Sequence, residues 1–108
     1  MLHENLSAAE ADAVVELLRD LLRTSSVNPP GAEEGVVRVL AERAAAWGFE
    51  PQVVHVLPGR PNLFVTLKGT GERPAVMLSG HSDTVPPGDV PWEHGPFSGA
   101  LVDGVLWG

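Results

Sequence analysis

The hydrophobic pattern of this chain changes its period at Pro51, from helical before this residue to strand-like after it. Before Pro51, apolar residues recur at the three- and four-residue spacing of an amphipathic α-helix. After it, short β-rich runs alternate with turns that contain proline and glycine. Two helices followed by a sheet predict an α/β domain, because the apolar stripe of each helix needs another element to cover it.

The helical part of the sequence predicts two helices. The first begins after Ser7, which can form a capping box with Glu10. Its apolar stripe is expected to pack in a core and comprises Val14, Leu17, Leu18, Leu21 and Leu22. A second helix is expected from about Ala32, with Glu33 and Glu34 in a solvated first turn. Its predicted buried face comprises Val36, Val37, Leu40, Ala41, Ala44 and Trp47.

Several strands are expected after Pro51. The runs 52–57 and 62–68 are β-rich and predict an antiparallel pair. Residues 75–78 (AVML) form a short continuous apolar run, which is typical of a strand buried on both faces. Near residue 100, Asp103 and Gly104 lie between two apolar runs, and Asp-Gly in this setting predicts a hairpin turn.

Charge and composition exclude several classes of function. The 108 residues include seven Lys and Arg and fourteen Asp and Glu, which gives a net charge of −7. An acidic chain without a basic cluster is a poor partner for nucleic acid or for an anionic membrane. The absence of cysteine excludes disulfides, thiolate metal sites and cysteine nucleophiles. Because residues 1–5 lack a signal-peptide pattern and no run could span a bilayer, we expect a cytoplasmic protein.

The residues best suited to metal binding or catalysis follow the apolar run 75–78. His81 and Asp83 are two positions apart, so in extended chain both side chains point to the same side. Imidazole is a good Zn²⁺ ligand, and a carboxylate beside it can fix its tautomer. The same pair also fits a loop histidine that is hydrogen-bonded to a neighbouring acid without any metal.

Other loop residues leave an alternative site open. Together with His81, three nearby residues could hold a single metal ion: Asp89, Glu93 and His94. We favour the interpretation that Glu93 and His94 are solvated loop residues. Trp92 and Phe97 are expected to pack the loop onto the domain rather than to bind substrate.

Several segments, in order along the chain, resemble one known family. They are residues 24–31 (TSSVNPPG), 59–63 (GRPNL), 78–86 (LSGHSDTVP), 96–99 (PFSG) and 103–108 (DGVLWG). The chain resembles the di-zinc metallopeptidases that include aminoacylase, succinyl-diaminopimelate desuccinylase, acetylornithine deacetylase and glutamate carboxypeptidase. The resemblance covers essentially the whole chain.

The resemblance implies a metal-dependent amide hydrolase. His81 would ligate one zinc ion, and Asp83, counted with the catalytic residues, would orient or electronically support it. The family carries two Zn²⁺ ions per complete site, with Co²⁺ or Mn²⁺ as possible substitutes. Its substrates are small molecules, N-acyl amino acids or small peptides, and a glutamate serves as general base on the activated water.

The resemblance also implies that residues 1–108 are the amino-terminal part of a mixed-sheet catalytic domain of the zinc-peptidase type. In the family, a bridging aspartate, the general-base glutamate, further ligands and a lid or dimerisation domain follow this region. We therefore expect the 108 residues alone to be inactive, and a homodimer only with that further domain. The alternative is a non-catalytic remnant that binds a partner through an exposed sheet edge.

Overall fold

The structure, a computed structural model, describes residues 6–108. Residues 1–5, on which the expectation about a signal peptide rests, lie outside the described residues. The chain contains, in order, α1 (Ala8–Leu22), α2 (Glu34–Ala46), β1 (Gln52–Leu57), β2 (Arg60–Phe64), β3 (Ala100–Val102) and β4 (Val105–Trp107). Two helices followed by antiparallel strands confirm the predicted α/β class. Between residues 6 and 108, no helix is long and apolar enough to cross a membrane.

The chain divides into two compact units, which are described separately. Residues 25–86 form one unit, with α2 and the β1–β2 hairpin. The other unit combines the described residues up to 24 with residues 87–108, and it contains α1 and the β3–β4 hairpin.

The capping box that the sequence predicts at the start of α1 is present. The Glu10 backbone N–H donates to Ser7 Oγ at 3.3 Å, and the Ser7 backbone N–H donates to Glu10 Oε2 at 2.8 Å. Because the Ser7 hydroxyl and backbone N–H both donate to its carboxylate, the pKa of Glu10 is lowered. Two backbone donors at the helix start are thereby satisfied reciprocally.

The leucine stripe of α1 is not buried, so the expectation that it packs in a core is wrong. No residue of this helix is buried, and Val14 and Leu18 are 54% and 46% exposed. An amphipathic pattern decides which face of a helix is apolar, but burial needs a surface of matching size. The hairpin of this unit has strands of three residues each. It offers too little area to cover a helix of 15 residues.

Two arginines at the end of the helix form hydrogen bonds within this unit, Arg19 in its last turn and Arg23 at its C-cap. Arg19 Nε donates to the Gly99 carbonyl at 2.9 Å, and Arg23 Nε donates to the Ser98 carbonyl at 3.2 Å. Positive charge near the C-terminus of a helix also interacts favourably with the helix dipole. The structure gives them a second role, which is to hold the strand entering β3.

The β3–β4 hairpin confirms the Asp-Gly prediction. Its strands pair antiparallel, with Ala100 opposite Trp107 and Val102 opposite Val105. Asp103 and Gly104 have positive φ angles of 50° and 78°. A two-residue turn with positive φ at both positions matches the right-handed twist of the paired strands.

Helix α2 begins at Glu34, two residues later than predicted, and buries one apolar face. Val36, Val37 and Ala44 are buried. Trp47, also predicted to be buried, is 52% exposed, because the helix ends there and its last turn leaves the packed face. The Phe49 N–H donates to the Ala44 carbonyl at 3.0 Å, so the helix closes in a Schellman motif.

The β1–β2 hairpin confirms the predicted antiparallel pair but shifts its second strand. β1 has the predicted bounds, whereas β2 begins at Arg60 rather than Asn62 and ends at Phe64 rather than Lys68. Leu57 pairs with Arg60, so the turn consists of Pro58 and Gly59 alone. Because the turn has only two residues, β2 begins earlier in the sequence than predicted, and the turn fixes the pairing register of the two strands.

The run 75–78 is not a strand in this structure, and the prediction of a strand buried on both faces is wrong. Val76, Met77 and Leu78 are all at least 84% exposed. A strand is stabilised by hydrogen bonds to a neighbour, and no described residue pairs with this run. The apolar composition of the run therefore indicates only that it is suited to form a buried strand when another strand pairs with it.

The capping box predicts a measurable contribution to stability. Replacing Ser7 by Ala leaves helix donors without an acceptor and should destabilise the fold by about 1 kcal/mol. Urea unfolding followed by circular dichroism measures this change. The control is Ser25→Ala, at an exposed serine outside the helices. Equal stability of the two variants would contradict a role for the cap.

Candidate functional site

Two separate segments are joined by hydrogen bonds to form the framework of the site. Val27 and Thr84 form an isolated parallel bridge. The Thr84 N–H donates to the Ser26 carbonyl at 3.1 Å, and the Asn28 N–H donates to the Thr84 carbonyl at 2.8 Å. The buried Ser26 hydroxyl donates to the Ser82 carbonyl at 2.6 Å. Residues 26–28 and 82–84 are thus held in a fixed register, with Asp83 at its centre.

His81 and Asp83 lie together, as their spacing predicts. The distance from His81 Nδ1 to Asp83 Oδ1 is 2.9 Å, and the distance to the Asp83 backbone carbonyl is 3.0 Å. Both partners can only accept, so Nδ1 carries the proton, and in the neutral imidazole Nε2 carries the lone pair. The His81 side chain is 83% exposed. The geometry therefore presents Nε2 to solvent as a potential ligand atom.

Asn28 fixes the second carboxylate oxygen of Asp83. Asn28 Nδ2 donates to Asp83 Oδ2 at 2.9 Å, and Arg60 Nη2 lies 3.8 Å from the same oxygen. The hydrogen bond from Asn28, followed by that from His81, lowers the pKa of Asp83. A carboxylate with donors on both oxygens stays ionised and keeps its orientation.

Glu33 and Arg60 form an ion pair beside Asp83 that the sequence pattern did not predict. Glu33 was expected in a solvated helical turn, but it is 5% exposed. Arg60 Nε lies 3.0 Å and 3.1 Å from the two carboxylate oxygens, and Arg60 Nη2 also donates to Oε1. These hydrogen bonds lower the pKa of Glu33 and raise that of Arg60. Local pattern could not reveal this, because the partners are 27 positions apart.

Gly31 makes room for this ion pair. Its φ is +87°, and a Cβ added there would lie 2.7 Å from Arg60 Nε and 2.8 Å from Arg60 Cζ. The guanidinium therefore crosses directly over the glycine backbone, where a side chain would displace it. Both features require glycine, since positive φ and close approach each disfavour a Cβ.

The site opens into a cleft of about 730 Å³. Its polar wall contains the charged and imidazole groups described above, and its apolar wall comes from the β1–β2 hairpin. These apolar residues are Val56, Leu57, Leu63 and Phe64. A cleft with one apolar wall and a few convergent polar groups is the usual form of a small-molecule site.

The alternative ligands Asp89, Glu93 and His94 belong to the unit that contains residues 87–108, whereas His81 belongs to the unit of residues 25–86. Among residues 6–108, no group of three or more His, Cys, Asp or Glu side chains could hold a metal ion. His94 is half-buried and packs edge-on against Trp107, with ring centroids 4.9 Å apart, so it is not the solvated residue that was expected. Trp92 Nε1 donates to the Pro87 carbonyl at 3.3 Å, which ties the loop to itself.

Comparison with known proteins gives a consistent set of relatives. A succinyl-diaminopimelate desuccinylase of Methylobacterium radiotolerans is 38% identical over 101 residues, covering 90% of this chain and 25% of the relative. That of Rhodopseudomonas palustris is 44% identical over 105 residues, covering 93% and 26%. That of Gluconacetobacter diazotrophicus is 41% identical over 95 residues, covering 85% and 24%. The chain belongs to the family of these desuccinylases.

The chain spans about a quarter of the length of these curated desuccinylases. No family model matches it, and no solved structure matches it. The family named from ordered motifs in the sequence is thus confirmed by relatives that align with most of the chain.

Two glycines with nearly equal φ test whether Gly31 accommodates Arg60. Gly48 has a φ of +86° and no atom within 4 Å of an added Cβ. Gly48→Ala should cost only the left-handed strain of roughly 1–2 kcal/mol. Gly31→Ala should cost measurably more, because it also displaces the guanidinium from Glu33. Equal losses in urea unfolding would show that the close approach has no energetic weight.

The Glu33–Arg60 pair predicts a pH dependence of stability. Because the folded pKa of Glu33 is lowered, its contribution is present above the unfolded pKa and is lost as the pH falls through the folded value. The stability difference between the wild type and Glu33→Gln should be constant near neutral pH and shrink below about pH 4.5. Unfolding free energies measured across this range test it, with Glu34→Gln at an exposed neighbouring position as the control. A difference independent of pH would contradict the assignment.

Proposed function

We propose that the protein takes part in the metal-dependent hydrolysis of an amide bond in an N-acyl amino acid or small peptide. The observation that carries the proposal is the exposed His81 imidazole whose Nδ1 is committed to Asp83. This pair occurs in a chain 38–44% identical to three proteins named succinyl-diaminopimelate desuccinylase. Succinyl-diaminopimelate is therefore the first substrate to test.

His81 fits the role of one metal ligand. Its Nε2 bears the lone pair and makes no hydrogen bond to any described residue. Neutral imidazole is a ligand that Zn²⁺ accepts readily, and Co²⁺ or Mn²⁺ could replace it. Residues 6–108 do not supply a complete set of ligands. We propose that the further ligands belong to regions corresponding to the rest of the longer relatives.

A divalent metal would supply Lewis acidity toward the amide carbonyl. The residues of this chain prepare that chemistry. Asp83 accepts a hydrogen bond from the His81 Nδ1–H, which fixes the ring and makes Nε2 a stronger metal ligand. Arg60 is already paired with Glu33 and lies near Asp83, so its single positive charge offsets one of the two carboxylates and the wall of the cleft keeps a net negative charge. The apolar wall of the hairpin can accommodate the carbon chain of an acyl group.

Metal content, substrate and partners of the whole protein are part of this proposal. We propose two Zn²⁺ ions in the complete site and a small-molecule substrate, without a nucleic-acid or membrane partner. A homodimer would require the further domain that the family resemblance implies. Location in the cytoplasm stays a prediction of the sequence.

Cobalt provides a test of His81 as a ligand. Addition of paramagnetic Co²⁺ to the purified protein should broaden the ring resonances of His81 and leave those of His55, an exposed histidine of β1, unchanged. His81→Ala should weaken the uptake of Zn²⁺ or Co²⁺, and His55→Ala should not. Broadening at other residues with His81 unaffected would contradict the proposal.

Hydrolysis of succinyl-diaminopimelate in the presence of Zn²⁺ tests the reaction itself. We propose that residues 1–108 alone do not complete the catalytic site, so they should give no turnover. Robust turnover by these residues would contradict the incomplete ligand set. Binding of a protein partner, with neither metal uptake nor hydrolysis, would favour the alternative of a partner-binding module.

A further inference from the structure

Asp83 uses its two carboxylate oxygens for different partners. Oδ1 faces His81 Nδ1 at 2.9 Å, and Oδ2 accepts from Asn28 Nδ2 at 2.9 Å. The Asn28 amide can meet a carboxylate only with its NH₂ group, because a carboxylate does not donate. The hydrogen bond therefore fixes the orientation of both side chains.

Asn28 is itself held by the backbone rather than by its side chain. Its N–H donates to the Thr84 carbonyl at 2.8 Å, beside the parallel bridge between Val27 and Thr84. The Ser26 hydroxyl fixes the same two segments through the Ser82 carbonyl. The amide of Asn28 is thus a preorganised donor. It belongs to the segment 26–28, which pairs with the segment 82–84 that contains Asp83.

Arg60 is the nearest competitor for the carboxylate. Its Nη2 lies 3.8 Å from Asp83 Oδ2, beyond the range of a hydrogen bond. A carboxylate released by Asn28 could rotate toward this guanidinium and weaken its contact with His81. Asn28 therefore occupies Oδ2 and keeps Oδ1 directed at the imidazole.

We propose that Asn28 is a positioning residue, which holds Asp83 so that His81 stays protonated on Nδ1 and offers Nε2 to a metal ion. The metal part of this inference rests on the proposed function, whereas the tautomer part does not. Asn28 would touch neither metal nor substrate, so its effect must pass through Asp83. Removal of a partner that orients a ligand typically lowers metal affinity 10–100-fold. Because Asn28 acts on the ligand only through Asp83, we expect Asn28→Ala to lower the metal affinity about tenfold.

Nitrogen-15 NMR of the metal-free protein measures the His81 tautomer directly. The wild type should show Nδ1–H as the main form, and Asn28→Ala should lower its fraction. Asn28→Leu, which keeps the side-chain volume but has no donor, should do the same and provides a second variant if the first does not fold. Asn62→Ala, at an exposed asparagine of β2, is the matched control and should leave the tautomer unchanged. An unchanged tautomer in both Asn28 variants would overturn the proposal.

A double-mutant cycle on zinc affinity then tests whether Asn28 acts through Asp83. Asn28→Ala should weaken binding about tenfold in the wild-type background and change nothing further in Asp83→Asn. Equal losses in both backgrounds would mean that Asn28 acts on structure in general and would overturn the proposal. If zinc bound to the wild type is not ligated by His81, the proposed function is wrong. The tautomer measurement still decides the role of Asn28 in that case.

Discussion

Backbone pairing between residues 26–28 and 82–84 is the interaction on which the candidate site depends. Two inter-segment backbone hydrogen bonds and the Ser26 hydroxyl join segments more than 50 positions apart. Their register places Asn28 beside Asp83, and Asp83 beside His81. Without this pairing, Asn28 would not lie beside Asp83 to hold the carboxylate that faces His81. A long-range backbone contact therefore supports the hydrogen bond that sets the tautomer of the imidazole.

The Glu33–Arg60 ion pair provides a second constraint on the same unit. It joins the start of α2 to the start of β2, and Gly31 provides the space in which the guanidinium lies. Burying an acid is unfavourable unless a partner compensates its charge, so Glu33 depends on Arg60 for its position. The pair also leaves Arg60 close to Asp83 without a hydrogen bond to it.

Local signals in the sequence predicted local structure well. The Ser7–Glu10 capping box, the strand 52–57 and the turn at Asp103 and Gly104 each depend on residues within a few positions of one another. Predictions that depended on a partner distant in the sequence were less accurate. The run 75–78 has no pairing strand among the described residues, and the stripe of α1 has no large surface to cover it. Of the site, the spacing predicted His81 with Asp83, whereas Asn28 and Glu33 depend on long-range packing that no periodicity records.

The central claim is that the hydrogen bond at Nδ1 leaves Nε2 of His81 to bind the metal. Anomalous scattering at the zinc edge, from a crystal of the zinc-loaded protein, tests it most directly. We expect a zinc peak about 2.0–2.1 Å from His81 Nε2, with Nδ1 still hydrogen-bonded to Asp83. A zinc ion bound to Nδ1, or a zinc site that excludes His81, would contradict the account.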